Sequence, residues 1–211
     1  MDRSIQIDTF NRFTQVSRET IRSLNLYENI LIKANKSLNL IGNSTINQIW
    51  IRHFLDSAQV IDLIEKNDKS LIDIGSGAGF PGLVLAILAK DRKIPIAINL
   101  IEKSPKKANF LKKIITELKL NVQVFNLDIF EKENKFIEDV VVARAFKPLK
   151  IILELMHKKA KHFKKIFIFL GKTGQTELLQ ASKSWNIKYK QSMSITSDDS
   201  IIIEINKLKK K

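Results

Sequence analysis

Apolar residues recur mostly three to five apart through the first third of the chain, then give way to short continuous runs. Val16, Ile21, Leu24, Leu26, Ile30, Leu31 and Ala34 mark one face of a helix. Ile49, Trp50, Phe54, Leu55, Ala58 and Ile61 mark a second helix, from about Ile46 to Ile64. The stretch Asn39-Leu40-Ile41-Gly42-Asn43-Ser44 between them has turn composition. Residues 1–67 therefore read as a helical extension, and 68–211 as a separate unit packed against it.

From residue 70 the runs predict strands at 71–75, 94–102, 122–127, 139–143, 165–170, 187–193 and 200–206. Helices fall between them at 81–89, 105–119, 148–162 and 174–184. Near-continuous apolar strands alternating with helices indicate a parallel sheet covered on both faces. The fold class is α/β: a doubly wound, Rossmann-like, mostly parallel sheet of seven strands. The last two runs have no helix between them, so they should close the sheet as an antiparallel hairpin.

The chemistry concentrates where the first strand ends, in LIDIGSGAGFPG at 71–82. Gly75, Gly77 and Gly79 follow the strand at alternate positions. Glycine permits a sharp turn and a close approach of backbone N–H groups to a ligand. Gly77, Gly79 and Gly82 also satisfy the G-x-G-x-x-G spacing of dinucleotide sites. The register opposes that reading. Gly75 ends the strand, and counted from it the third position is Phe80. Asp73, two residues before, fits the D-x-G-x-G-x-G loop of S-adenosylmethionine enzymes. A carboxylate suits that ligand's ammonium and sulfonium and would repel a pyrophosphate. Glu102 ends the next strand, where an acid reaches two ribose hydroxyls. Asp128 follows the third strand, placed for an adenine edge. Each acid alone would read as a helix cap; three ending successive strands favour a nucleoside site.

Net charge changes the picture of the partner. The chain carries +14, and residues 147–211 supply +10 of it, from 15 basic and 5 acidic side chains. A polyanion is the functional reading; the compositional one is lysine usage, 29 lysines against 7 arginines. The absence of cysteine excludes disulfides, thiolate nucleophiles and cysteine-ligated metals. His53, His157 and His162 have no metal-ligand spacing, and the last two should face solvent or RNA. The start, MDRSIQIDTFNRF, lacks a signal peptide's apolar run, and no run is long enough to span a bilayer. The expectation is a cytoplasmic monomer.

Spaced motifs then carry a family resemblance over nearly the whole chain. Asn39-Leu40, Arg52-His53-Phe54-Leu55-Asp56-Ser57, DIGSGAGFPG at 73–82, LIEKSPKKANFLK at 100–112 and Ala143-Arg144-Ala145-Phe146 resemble blocks of the RsmG (GidB) family. That family methylates N7 of a guanine in bacterial 16S ribosomal RNA. The resemblance implies the class I methyltransferase fold, S-adenosyl-L-methionine as cofactor, and 16S ribosomal RNA or an assembling small subunit as partner. It implies cofactor contacts from Gly75, Phe80, Leu127, Asp128 and Arg144. Asp73, Gly77, Gly79 and Glu102 join them from the loop argument. Two positions depart: Ile41 stands for the family's threonine, and Leu170-Gly171-Lys172 for its L-K-G.

Transfer to guanine N7, which has a lone pair and no proton, needs no general base, and positioning carries it. Consistently, Pro-Pro is missing after the fourth strand, where amine methylases carry it. Arg144 is the candidate to grip the guanine O6, a phosphate or the cofactor carboxylate, unless it merely pairs with a helix-end carboxylate. Phe146 or Phe80 stacks on a base or belongs to the core. Arg52, His53, Lys147 and Lys172 are RNA-binding candidates; alternatively Arg52 and Asp56, four apart, form a surface ion pair. Two competing functions stay open: an NAD-dependent oxidoreductase, and a catalytically silent RNA-binding module.

Overall fold

A computed structural model describes residues 1–131 and 135–211. Helices α1 (Arg3–Thr14) and α2 (Arg18–Leu38) open the chain. Ser17 caps α2 by accepting from the Thr20 N–H at 3.2 Å, and Asn39 ends it in the left-handed conformation. The second expected helix is not one helix. It is a 3₁₀ segment (Asn43–Gln48), a π-helical segment (Trp50–Leu55), one α turn, α3 (Asp56–Ala58), and a 3₁₀ turn (Ile61–Leu63). Within the π segment the Arg52 carbonyl accepts a hydrogen bond from the side chain of Arg144 at 2.7 Å, a tertiary contact that local apolar spacing does not report.

The remainder follows the expected alternation: β1 (Ser70–Ile74), α4 (Gly82–Asp91), β2 (Ala97–Ile101), α5 (Pro105–Glu117), β3 (Val122–Phe125), β4 (Val140–Arg144), α6 (Leu149–Lys159), β5 (Lys165–Leu170), α7 (Gly174–Ser182), β6 (Trp185–Ser194) and β7 (Ser197–Lys210). The sheet order is β3-β2-β1-β4-β5-β7-β6. β1 to β5 are parallel; β7 runs antiparallel to β5 and β6, closing the sheet as a hairpin. β7 continues to Lys210, so Lys207, Lys209 and Lys210 belong to a strand.

Strand residues alternate between two cores. Leu71, Leu100, Val140, Val142 and Phe167 face α4, α5 and the extension. Ile72, Ile74, Val141, Ala143, Ile166 and Ile168 face α6 and α7. Phe10, Leu24, Tyr27, Leu31, Trp50 and Phe54 share the first core, so the extension is continuous with the sheet domain's interior. The strand order reverses between β1 and β4, opening a crevice at their C-terminal ends. Among the described residues no helix is long and apolar enough to cross a membrane.

Candidate active site

The glycine loop bends over the end of β2, where Gly75 and Ser76 donate their N–H groups to the Ile101 carbonyl at 2.9 and 3.0 Å. Its three glycines all have positive φ, for different reasons. A Cβ on Gly75 would overlap the Phe146 ring, and one on Gly79 would strike Tyr27 and Leu83. One on Gly77 would meet nothing nearer than the Gly75 carbonyl at 3.8 Å. Gly75 and Gly77 line a cleft of about 430 Å³, whereas Gly79 does not.

Glu102, just beyond β2, closes the floor of that cleft. Its Oε2 accepts from the Gly77 N–H at 2.9 Å and its Oε1 from the Ser104 N–H at 2.8 Å. Each oxygen keeps a further acceptor site for a ribose hydroxyl. Leu127 and Asp128 line the adjoining wall. Asp128 accepts from the Phe130 N–H at 2.9 Å, with Lys103 Nζ at 3.7 Å. The volume lies within the range of small-molecule sites, roughly 300–1,000 Å³. An open glycine face between carboxylates fits a nucleoside carrying positive charge.

Asp73 is placed differently from expectation. It has no exposure, does not line the cleft, and sits behind the loop. Its Oδ2 accepts from the Gly82 N–H at 3.0 Å, satisfying one donor of the first turn of α4; among the described residues its Oδ1 has no partner. Burial pushes this carboxyl up to about 7. The same bond weighs against the dinucleotide reading, because a carboxylate already occupies the helix N-terminus that a pyrophosphate would need.

The extension supplies the rest of the cleft wall. Leu40, Ile41, Gly42 and His53 line it, and Tyr27 donates its hydroxyl to the Ala78 carbonyl of the glycine loop. His53 stacks on Phe80 with ring centroids 4.9 Å apart, and Tyr27 stacks on the same ring at 5.7 Å. Phe80 therefore lines the cleft as the buried edge of an aromatic cluster. Phe146 is half-buried and stacks on the exposed Phe130 at 5.8 Å. Ala145, with φ +48, turns the chain so that Phe146 covers Gly75. Lys147 follows it into the cleft wall.

Arg144 ends β4 inside a cage. Its Nε donates to Asp56 Oδ2 at 2.7 Å, and its Nη2 to the Arg52 carbonyl at 2.7 Å. Nη1 and Nη2 share His53 Nδ1 at 3.3 and 3.4 Å. A guanidinium has five N–H donors, so one, on Nη1, is uncommitted among the described residues while Arg144 lines the cleft. Because a guanidinium only donates, His53 Nδ1 must accept. Its Nε2 then carries the proton and donates to Thr45 Oγ1 at 2.8 Å. Burial and the Arg144 and Arg52 charges lower the imidazole to about 3, so His53 is neutral.

The alternative Arg52–Asp56 ion pair does not form: Asp56 turns to Arg144, and Arg52 donates to the Thr196 carbonyl at 3.0 Å, outside the cleft. Lys172 is exposed beyond β5 and does not line the cleft either. His157 and His162 are exposed, as expected. Sequence reasoning missed Tyr27, Thr45 and Phe130, and misassigned Asp56, whose motif it had quoted.

Comparison with known proteins adds to this geometry. The family model GidB, described as rRNA small subunit methyltransferase G, matches residues 20–202. A Pelagibacter ubique protein named Ribosomal RNA small subunit methyltransferase G is 39% identical over 198 residues, 93% of this chain and 92% of that one. Its Rickettsia akari namesake is 36% identical over 197 residues, 93% and 98% of the two chains. Among solved structures, M. capricolum TrmK in complex with S-adenosyl-homocysteine is similar in fold, with a TM-score of 0.54 at 21% identity over 72% of this chain and 67% of that one.

Proposed function

This chain belongs to the GidB family of ribosomal RNA small-subunit methyltransferases, and from that membership we propose that it transfers a methyl group from S-adenosylmethionine to N7 of a guanine in 16S ribosomal RNA. The observation that supports N7 is the pairing of Arg144 with His53. The histidine of the cleft is neutral and has both ring nitrogens engaged, so it is not poised to take a proton. Guanine N7 carries none to take. The residues instead position: the uncommitted Nη1–H of Arg144 is suited to guanine O6, leaving N7 open to attack.

Glu102 would hold the ribose hydroxyls of the cofactor and Asp128 the adenine edge, while Gly75 and Gly77 let the backbone approach. When bound, S-adenosylmethionine supplies a methyl group on a positively charged sulfur. Phe146 and Phe130 offer a flat surface for a base at the cleft. We take the enzyme to be a cytoplasmic monomer acting on 16S ribosomal RNA or an assembling small subunit, with the net charge of +14 favouring such a polyanion.

Mass-spectrometric mapping of 16S ribosomal RNA from a deletion strain tests the reading. One 7-methylguanosine should disappear and return with the intact gene; an unchanged methylation map refutes it. S-adenosylhomocysteine should raise the melting temperature and NAD should not.

A further inference from the structure

We propose that a second recess, on the other side of Arg144 from the cofactor cleft, holds a backbone phosphate of the RNA strand that carries the target nucleotide; this rests on the RNA methyltransferase reading above. The recess measures about 180 Å³ and shares Arg144 and Ala145 with the cleft. It lies at the C-terminal edge of β4 and β5, where β7 begins to pair with β5 through Ile201 and Leu170. That edge also carries the glycine loop.

The balance of donors and acceptors in the recess identifies its ligand. Its one lining carboxylate, Asp56, is already bonded at both oxygens, by four donors in all. It accepts from Arg144 Nε, from Thr196 Oγ1 at 2.7 Å, from Gln59 Nε2 at 3.0 Å and from Ser194 Oγ at 3.2 Å. Donors remain in surplus. Among the described residues, one of the five N–H groups of Arg52 is used, toward the Thr196 carbonyl. Among the described residues the hydroxyls of Ser197 and Ser200 line the recess with no hydrogen-bond partner. Gly171 completes the wall, and a Cβ there would meet nothing within 4 Å. Asp198 and Asp199, between the two serines, are exposed and do not line it.

A compact, acceptor-rich anion satisfies such a wall. A phosphodiester offers two free oxygens, and an arginine with hydroxyls is a common way to hold one. A phosphate seated here would be a neighbour of the cleft, since Arg144 and Ala145 line both spaces. Arg144, shared by both spaces, would then register the base against the backbone.

The test uses the full chain with small subunits from a strain lacking the methylation. Ser200→Asp puts a negative charge in the recess and should raise KM for the particle at least about tenfold. Ser200→Asn, similar in size and neutral, should stay near wild type. Arg52→Ala should lower the slope of log KM against log salt by about one. In all three, S-adenosylhomocysteine affinity should hold within about twofold, which also confirms folding. If wild type methylates the particle and Ser200→Asp and Arg52→Ala leave KM and the salt slope unchanged, the proposal falls while the function stands. Loss of S-adenosylhomocysteine affinity with KM for RNA unchanged overturns it as well, making the recess a cofactor subsite. A wild-type enzyme that transfers no methyl to RNA removes the reading beneath it, and the proposal with it.

Discussion

Asp56 Oδ2 accepts the Nε–H of Arg144 at 2.7 Å, joining the helical extension to the C-terminal end of β4. The other carboxylate oxygen, Oδ1, accepts from Ser194 and Thr196 at the turn between β6 and β7. One side chain thus ties together three parts of the chain that lie far apart in sequence, around the residue expected to orient the guanine.

Asp56→Asn should therefore uncouple positioning from binding. An amide has one acceptor oxygen, so either Arg144 or the hydroxyls lose their partner. Methyl transfer should fall about 10–100-fold, since small misplacements at a reacting centre have effects of that size. S-adenosylhomocysteine affinity should change little. Asp56→Ala should also lose about 1.5–3 kcal/mol of stability, the range for a hydrogen bond to a charged group. Single-turnover rates and denaturant melts check both; full activity in Asp56→Asn would remove Asp56 from the positioning of Arg144.

Glu102→Gln tests the nucleoside site. The new amide group presents N–H to a backbone N–H, either at Gly77 or at Ser104, and offers fewer acceptors to the ribose. Affinity for S-adenosylhomocysteine should drop about tenfold or more, given that a lost charged hydrogen bond is worth about 1.5–3 kcal/mol. Calorimetric titration measures it, and unchanged affinity would refute the assignment.

His53 should stay neutral far below the usual histidine range. Its imidazole is lowered to about 3 in the folded protein, from an ordinary 6.5. Protonation therefore favours the unfolded chain. The contribution is fully present above about pH 6.5 and is lost as pH falls from there toward 3. NMR of the ring should show the Nε2–H tautomer without imidazolium at pH 5; an imidazolium signal there contradicts the cage.

Asp73 has the opposite sign. Its carboxyl is raised from 3.8 to about 7, so folding favours the protonated form. The stability this gives is present below about pH 3.8 and is lost as pH rises through 7. Asp73→Asn keeps an acceptor for the Gly82 N–H and cannot ionise. Its stability relative to wild type should rise between about pH 4 and 7 and then level off. At about 1.36 kcal/mol per pH unit the rise is on the order of 4 kcal/mol at most. Paired denaturant melts across that range check it; a flat difference means that Asp73 ionises freely.

Legibility varied with distance along the chain. The β/α alternation and the loop LIDIGSGAGFPG were readable because strand and helix periodicity, and the glycine positions that a tight turn requires, are local properties. The place of Glu102 and Asp128 at the cleft was readable for the same reason, since the first follows directly on β2 and the second lies three residues beyond β3. The break in the single helix expected over 46–64 was not readable, because local spacing carries no trace of contacts such as the bond from Arg144, some 90 positions later, to a backbone carbonyl inside it. Asp73 was found and its task misread: spacing placed a carboxylate by the loop but not on which side of it.

The sequence by itself determined the alternation of strands and helices from residue 70 onward, the glycine loop and the surplus of positive charge, because these depend on neighbours in the chain. Tertiary structure alone decided that Asp56 belongs to Arg144 rather than Arg52, that Tyr27 fastens the extension to the glycine loop, and that His53 is neutral with both nitrogens engaged. Hydrogen bonding across packed elements and the removal of water from their interface set those outcomes, and neither is encoded in the spacing of residues along one strand or helix.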